Sequence, residues 1–314
     1  MNIAGAKKSP FLFGFDYELE KGFFIEDPLN QETIFWRIGN KGNYKKLKTN
    51  DKGSFFRSIP ISKEAYNKKI AYILEEQKKG NSFLLNLTIK TPIETDFSFE
   101  EIFSKSNAPY NLLIPNKLVC FSPEIFIKIE KNIVSSYPMK GTIDGDIDNA
   151  ENIILNDYKE SAEHYTIVDF IRNDLSRIST NIDVEKLRYI DRLKTSKGDI
   201  LQVSSKICGK LDPQWNEKIG DLIYELLPAG SISGAPKESS LNIIRNAEQQ
   251  KRGYYTGVFG YFDGETLDSA VMIRFIENDK DKLFFRSGGG VTINSDPTKE
   301  YEEVIEKAYL PFNK

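Results

Sequence analysis

The chain has 314 residues, enough for one large domain or two small ones, and its 39% hydrophobic and 28% charged content is that of an ordinary globular protein. A net charge of −3 gives no electrostatic reason to bind nucleic acid or an anionic membrane, and the short basic clusters at Lys45–Lys48 and Lys78–Lys79 read as solvated surface. No run reaches the ~18 apolar residues that cross a bilayer and no secretion signal is visible, so a cytoplasmic setting is expected, with Cys120 and Cys208 as free thiols.

In chain order, short strands are predicted at 11–15, 22–25 and 33–37. A helix follows from Ser62 to Lys79, with Ala65, Ile70, Ile73 and Leu74 at helical spacing and Gly80 as its C-cap. Residues 83–89 alternate as a strand, 98–104 form a short helix, and 117–121 and 125–130 are strands. The second half opens with a helix over 150–177, possible in two pieces. Strands at 182–193 and 200–210 and helices at 215–227 and 236–250 come next. Strands at 254–262, 269–276 and 282–287 lead to a last helix, capped by Asp296 with Pro297 at its first position and running to about Leu310. Strands cluster without regular strand–helix alternation, and no long linker intervenes. The expected fold is therefore α+β: one mixed domain over 1–314 with mostly antiparallel sheets flanked by helices.

The only histidine is His164, which rules out any two-histidine metal site and leaves hydrolytic triads a single candidate base. Metal-assisted chemistry would have to use carboxylates, which suit Mg²⁺ or a similar hard ion. Several features could carry chemistry, and each has an ordinary reading beside it. Glu124 in Ser122-Pro123-Glu124 starts a strand, or is part of a surface turn. Lys140 in Pro138-Met139-Lys140-Gly141-Thr142 has a glycine beside it that permits close backbone approach, or is a surface lysine. Helical spacing puts Glu163, Ile167, Phe170 and Asp174 on one stripe, so Glu163 borders an apolar face. In the last helix Glu300 and Glu303 are neighbours at the edge of the face formed by Tyr301, Val304, Ile305 and Ala308. The small-residue loop 227–237, with Gly234 and Ala235, opens a helix and can present N–H groups to an anion; it can equally be a tight connection. Gly288-Gly289-Gly290, at a strand end, exposes backbone donors. Arg274 alternates with apolar residues and calls for an acidic partner, which a substrate carboxylate would supply. Together these make a pocket for a small dianion.

Taken in order, the Ser-Pro-Glu, Lys-Gly-Thr, Ala-Glu-His…Arg-Asn-Asp-Leu, Gly-Ser-Ile-Ser-Gly-Ala-Pro-Lys, Ile-Arg, triple-glycine and Glu-Tyr-Glu-Glu blocks resemble the chorismate-utilising enzymes. This family includes anthranilate synthase component I, aminodeoxychorismate synthase component I and isochorismate and salicylate synthases. The resemblance is dense from Leu118 to Leu310 and loose before it, dividing a diverged part, 1–110, from a motif-bearing part, 111–312. It implies orthogonally packed sheets in α/β/β/α layers. Lysine at position 140 points to the aminodeoxychorismate branch, since anthranilate synthases usually carry alanine there; anthranilate synthase component I is the alternative. In that branch Lys140 attacks C2 of chorismate, Glu124 serves as general acid/base with Thr142 beside it, and ammonia then enters at C4. By the same resemblance Glu163, Glu303 and Glu300 hold Mg²⁺. Arg274, Tyr255, Gly288, Gly289, Gly290, Gly234, Ala235 and Lys307 hold the substrate. Gln202 stands where many relatives have a histidine that helps to aromatise the ring. Ammonia would come from a separate glutamine amidotransferase subunit, and a lyase would convert the product to 4-aminobenzoate for folate synthesis.

Overall fold

The structure is a computed structural model that describes residues 1–49, 52–195 and 198–312. Among these, two nine-stranded sheets form the centre, and every strand pair is antiparallel. The first sheet runs Met139–Asp144, Gly198–Lys210, Ile133–Ser136, Ile125–Glu130, Leu267–Val271, Val258–Phe262, Phe11–Phe15, Gly22–Glu26, with Thr180–Thr195 also paired to Gly198–Lys210. The second runs Gly234–Ala235, Leu84–Thr95, Lys282–Thr292, Phe275–Asp279, Leu118–Ser122, Tyr110–Ile114, Phe35–Ile38, Lys41–Gly42, with Phe56–Ser58 on Leu84–Thr95.

Alternation along the strands explains the layering. In Phe11–Phe15 successive side chains point to opposite faces, and both faces are buried. Phe11 and Phe13 join Ile167, Ile171, Ile219 and Ile223 of the helices Tyr158–Ser176 and Ile219–Leu226. Leu12 points the other way and meets Trp36, Leu112, Cys120, Phe259 and Phe275 between the sheets, where the Trp36 and Tyr261 rings are 4.5 Å apart. On the outer face of the second sheet, Leu85, Leu87, Ile89 and Val291 pack on helices Lys63–Lys78, Lys237–Glu248 and Pro297–Glu306 through Tyr66, Ile70, Ile73, Ile243, Ile244 and Val304. The order helix, sheet, sheet, helix is the layered α+β architecture expected. Strands of the loosely resembling first 110 residues lie in both sheets.

The caps match the sequence reading. Ser62 accepts from the Ala65 amide, and Asp296 accepts from the Thr298 and Lys299 amides ahead of Pro297. Gly80 adopts φ +81° just past the first long helix. The helix over 150–177 is two helices, Ala150–Asn156 and Tyr158–Ser176, meeting at Asp157. Three expectations fail in instructive ways. Residues 269–276 are not one strand: the chain leaves the first sheet after Val271 and enters the second at Phe275. Arg274 is therefore not on a strand face but in the crossing, with φ +54°. The triple glycine is not at a strand end but inside Lys282–Thr292, paired with Thr88, Leu87 and Asn86. Residues 139–144, for which the sequence predicts no strand, form an edge strand with a bulge at Gly141, whose φ is +76°. Cys120 and Cys208 are both free. No described helix is long and apolar enough to cross a membrane.

Candidate active site

A cavity of about 510 Å³ opens where the two sheets diverge. It is walled by the edge strand 139–144, helix Tyr158–Ser176, the turn Gly230–Ser233, the glycine strand and helix Pro297–Glu306. Of the fourteen residues singled out from the sequence as site residues, Lys140, Glu124, Thr142, Arg274, Tyr255, Gly288, Gly289, Gly290, Lys307, Glu163, Glu300 and Glu303 line it. Gly234 and Ala235 do not. They pair as a two-residue strand with Leu85 and Leu84, and Ala235 borders a separate groove with Phe83 and Phe170. The part of that loop reaching the cavity is Ala229 to Ile232. On the long helix the lining stripe is Glu163, Ile167, Ile171 and Asp174; Phe170 packs instead toward Gly230.

The edge strand aims Lys140 inward, and its Nζ lies 3.3 Å from Glu163 Oε2. A Cβ on Gly290 would come 2.7 Å from that Nζ, whereas one on Gly289 would point to the opposite face, 3.5 Å from Glu300 Oε2 and 3.9 Å from Glu303 Oε1. Without side chains at these positions, both faces of the strand backbone are bare. Lys140 approaches it from one side, and the last helix brings its acids to the other. Lys307 Nζ donates to Gly288 O at 3.0 Å and pairs with Glu303. Glu300 is buried, while the Glu303 side chain is about half exposed at the rim.

The Ser231 hydroxyl donates to Glu124 Oε1. Burial raises the pKa of the Glu124 carboxyl, opposed by that hydrogen bond and by the charges of Lys140 and Lys307. Burial lowers the Lys307 ammonium, opposed chiefly by Glu303. The cavity therefore holds a carboxyl biased toward its protonated form and an amine biased toward neutrality. Gln202, paired with Thr142 on the neighbouring strand, also lines the wall. His164 does not: its Nε2 lies 2.6 Å from Ser205 Oγ, and burial holds its pKa down to about 4. Neither cysteine borders the cavity.

Glu163, Glu300 and Glu303 all line the cavity beside the glycine strand, yet no group of three His, Cys, Asp or Glu side chains converges as a ready ligand set among the described residues. As donors they are hard oxygen ligands, the chemistry that Mg²⁺ accepts while keeping several waters. Arg274 donates through Nη1 to Lys307 O at 3.0 Å and stacks on Tyr309. Among the lining residues that escaped the sequence reading is Arg286, 1% exposed, two residues before the glycines. Its signal was a cation in a buried apolar strand, Phe284-Phe285-Arg286.

Comparison with known proteins gives this cavity a context. A Haemophilus influenzae protein described as an uncharacterized PabA-like protein is 49% identical over 99% of this chain and 94% of its own length. The Bacillus subtilis aminodeoxychorismate synthase component 1 is 28% identical over 84% of this chain, which spans only 58% of that protein. The crystal structure of anthranilate synthase component I from Streptococcus pneumoniae superposes with a TM-score of 0.68 at 25% identity, covering 81% of this chain and 58% of that one. The family model for chorismate binding enzyme matches residues 15–312. The chain belongs to the chorismate binding enzyme family.

Proposed function

We propose that the protein makes 4-amino-4-deoxychorismate from chorismate and ammonia, with Lys140 as nucleophile. The observation that carries this reading is the Lys140 amine, held inside the cavity between Glu163 and the Gly290 backbone. A half-buried amine beside a carboxylate and open to the cavity is placed for attack once it gives up its proton. The neutral amine adds at C2 of the ring, the ring double bond shifts, and the C4 hydroxyl departs as water with a proton from Glu124. Ammonia then adds at C4, the double bond shifts back, and the Lys140 amine leaves. The raised pKa of Glu124 suits a proton donor, and the Ser231 hydrogen bond fixes the carboxyl. Thr142, beyond the Gly141 bulge, adds a hydroxyl to the same wall. Glu163, Glu300 and Glu303 would hold Mg²⁺, which when bound neutralises and orients the ring carboxylate. Gly288–Gly290 amides, Lys307, Tyr255 and Arg274 complete the substrate pocket.

Gln202 supports a product that keeps its enolpyruvyl ether, because a carboxamide cannot shuttle the proton that aromatisation requires at neutral pH. The ammonia source in this reading is a partner glutamine amidotransferase, and a lyase downstream yields 4-aminobenzoate for folate. The test is incubation with chorismate, Mg²⁺ and ammonium followed by an aminodeoxychorismate lyase. We expect 4-aminobenzoate; fluorescent anthranilate in its place would overturn the reading. Lys140→Ala is expected to lower ammonia-dependent turnover at least about 100-fold, in line with loss of a covalent nucleophile.

A further inference from the structure

Lys140 and Glu163 stand on different elements, and the reaction above depends on the 3.3 Å between them. Lys140 is on the edge strand Met139–Asp144, and Glu163 is in the second turn of helix Tyr158–Ser176. Beside the pair lies a buried polar contact that the chemistry does not use. His164, the residue after Glu163, places its Nε2 2.6 Å from the hydroxyl of Ser205, and both residues are buried. The Ser205 amide donates to the carbonyl of Pro138, two residues before Lys140, at 3.0 Å. One residue of strand Gly198–Lys210 is thus tied both to the chain leading into the amine and to the neighbour of its carboxylate. The hydroxyl is itself held. It accepts the Arg188 amide at 2.9 Å, at a bulge between Lys186 and Tyr189 where Arg188 takes φ +48°.

Such a contact is a poor way to gain stability. Whichever group donates to the other, His164 Nδ1 is left buried with no hydrogen bond, which costs free energy. An apolar pair of similar shape would fill the space without that cost. What the polar contact adds is direction. Ile167 and Ile171 hold the helix to the core by apolar packing, which is non-directional, whereas a hydrogen bond fixes where along the strand the helix sits. We propose that Ser205 and His164 are positioning residues: they lock helix Tyr158–Ser176 against the edge strand so that Glu163 holds the Lys140 amine in place. Neither side chain borders the cavity, so each acts through the pair and not on the substrate. The effect on turnover rests on the chorismate reading; the effect on the geometry does not.

The test compares wild type with the double variant Ser205→Ala, His164→Leu, which removes both polar partners. A third protein, His164→Gln, keeps a carboxamide that can still meet the Ser205 hydroxyl. The first readout needs no substrate. A water-soluble carbodiimide condenses an adjoining amine and carboxylate to an amide, taking up the water as a urea, and peptide mass spectrometry gives the yield of the Lys140–Glu163 cross-link. The second is steady-state turnover of chorismate with ammonium and Mg²⁺. The apolar variant should unfold within about 5 °C of wild type. It should give at least about 5-fold less cross-link and lose kcat about 10- to 100-fold, with KM within about 3-fold. His164→Gln should recover most of both. If the double variant does not fold, Ser205→Ala alone carries the same comparison. No cross-link in wild type, an equal yield in the apolar variant, or a loss of kcat that only parallels a loss of stability would overturn the inference. A cross-link that falls as expected, while wild type forms no aminated product from chorismate, would uphold the positioning and overturn the function proposed above.

Discussion

Gly234 is buried and Gly290 half-buried, and a methyl group at the two positions is expected to do opposite things. At Gly290 the added Cβ meets the amine tip of Lys140 at 2.7 Å, with the next neighbour at an ordinary 3.4 Å. A flexible side chain can yield, so Gly290→Ala should fold, with an unfolding midpoint within a few degrees of wild type, and lose turnover by at least about 10-fold as Lys140 is displaced. Unchanged turnover would remove Lys140 from the reacting position. At Gly234 the Cβ would lie 2.3 Å from the Leu84 carbonyl, and φ is +120°. Backbone cannot yield there, so Gly234→Ala should cost more than about 2 kcal/mol in a denaturant melt. The sequence distinguishes these two only in part. Both stand in motif blocks, but which glycine faces the cavity depends on strand register, and that is decided by pairing with Leu85 and Asn86, far earlier in the chain. Lys140 and Glu124 were legible because their blocks keep a fixed spacing. Arg286 was not, because an isolated arginine in a strand looks like any outward-facing cation until both faces of the strand prove buried.

At the scale of elements, the helix pair Ala150–Asn156 and Tyr158–Ser176 depends on one residue. Asp157 is extended, ends the first helix, and accepts from the Glu160 amide to start the second. Asp157→Ala should cost about 1 kcal/mol and loosen the first turns, from which Glu163 reaches Lys140. A fall in activity larger than the fall in stability is the expected signature. The Arg252–Glu248 pair does a different job. It is buried, receives the Thr88 amide on Glu248, and holds the Ile232 carbonyl of the cavity turn. Arg252→Met should therefore destabilise by about 3–5 kcal/mol, read from the denaturant midpoint, since it strands a buried carboxylate. Long amphipathic helices and caps were legible in the sequence because their signals are local. The strand 139–144 was missed because it lies at an edge and its side chains are only half covered, so it lacks alternation. The break at 272–274 was missed because apolar residues continue across it; the turn is imposed by bonds to remote backbone, such as Met272 N to Gly257 O at 2.7 Å.

For the molecule as a whole, the one histidine sets a pH dependence. His164 is buried, its Nδ1 has no hydrogen-bond partner, and its pKa falls from 6.5 to about 4. A group whose pKa is lowered on folding binds fewer protons in the native state. Its contribution is complete above about pH 6.5 and is lost as pH falls toward 4. The wild-type protein should lose up to about 3 kcal/mol more than His164→Asn over that interval, measured by chemical denaturation at fixed pH values. A difference that is flat across the interval would contradict the neutral, buried imidazole. The layered arrangement itself was foreseeable from clustered strands between amphipathic helices. Which strands share a sheet was not, since partners such as Phe11–Phe15 and Val258–Phe262 come from opposite ends of the chain.

The crossing at Met272–Arg274 belongs to neither sheet: Thr256 N and Gly257 O, just ahead of strand Val258–Phe262, hold Met272, while Phe121 N of the second sheet donates to Arg274 O at 2.9 Å. The sheets cannot part there without breaking these bonds, and Arg274 extends the tie to the end of the last helix through Lys307 O. The crossing thus acts as a fixed spacer, and the width of the site at this corner is set by backbone bonds rather than by side-chain packing.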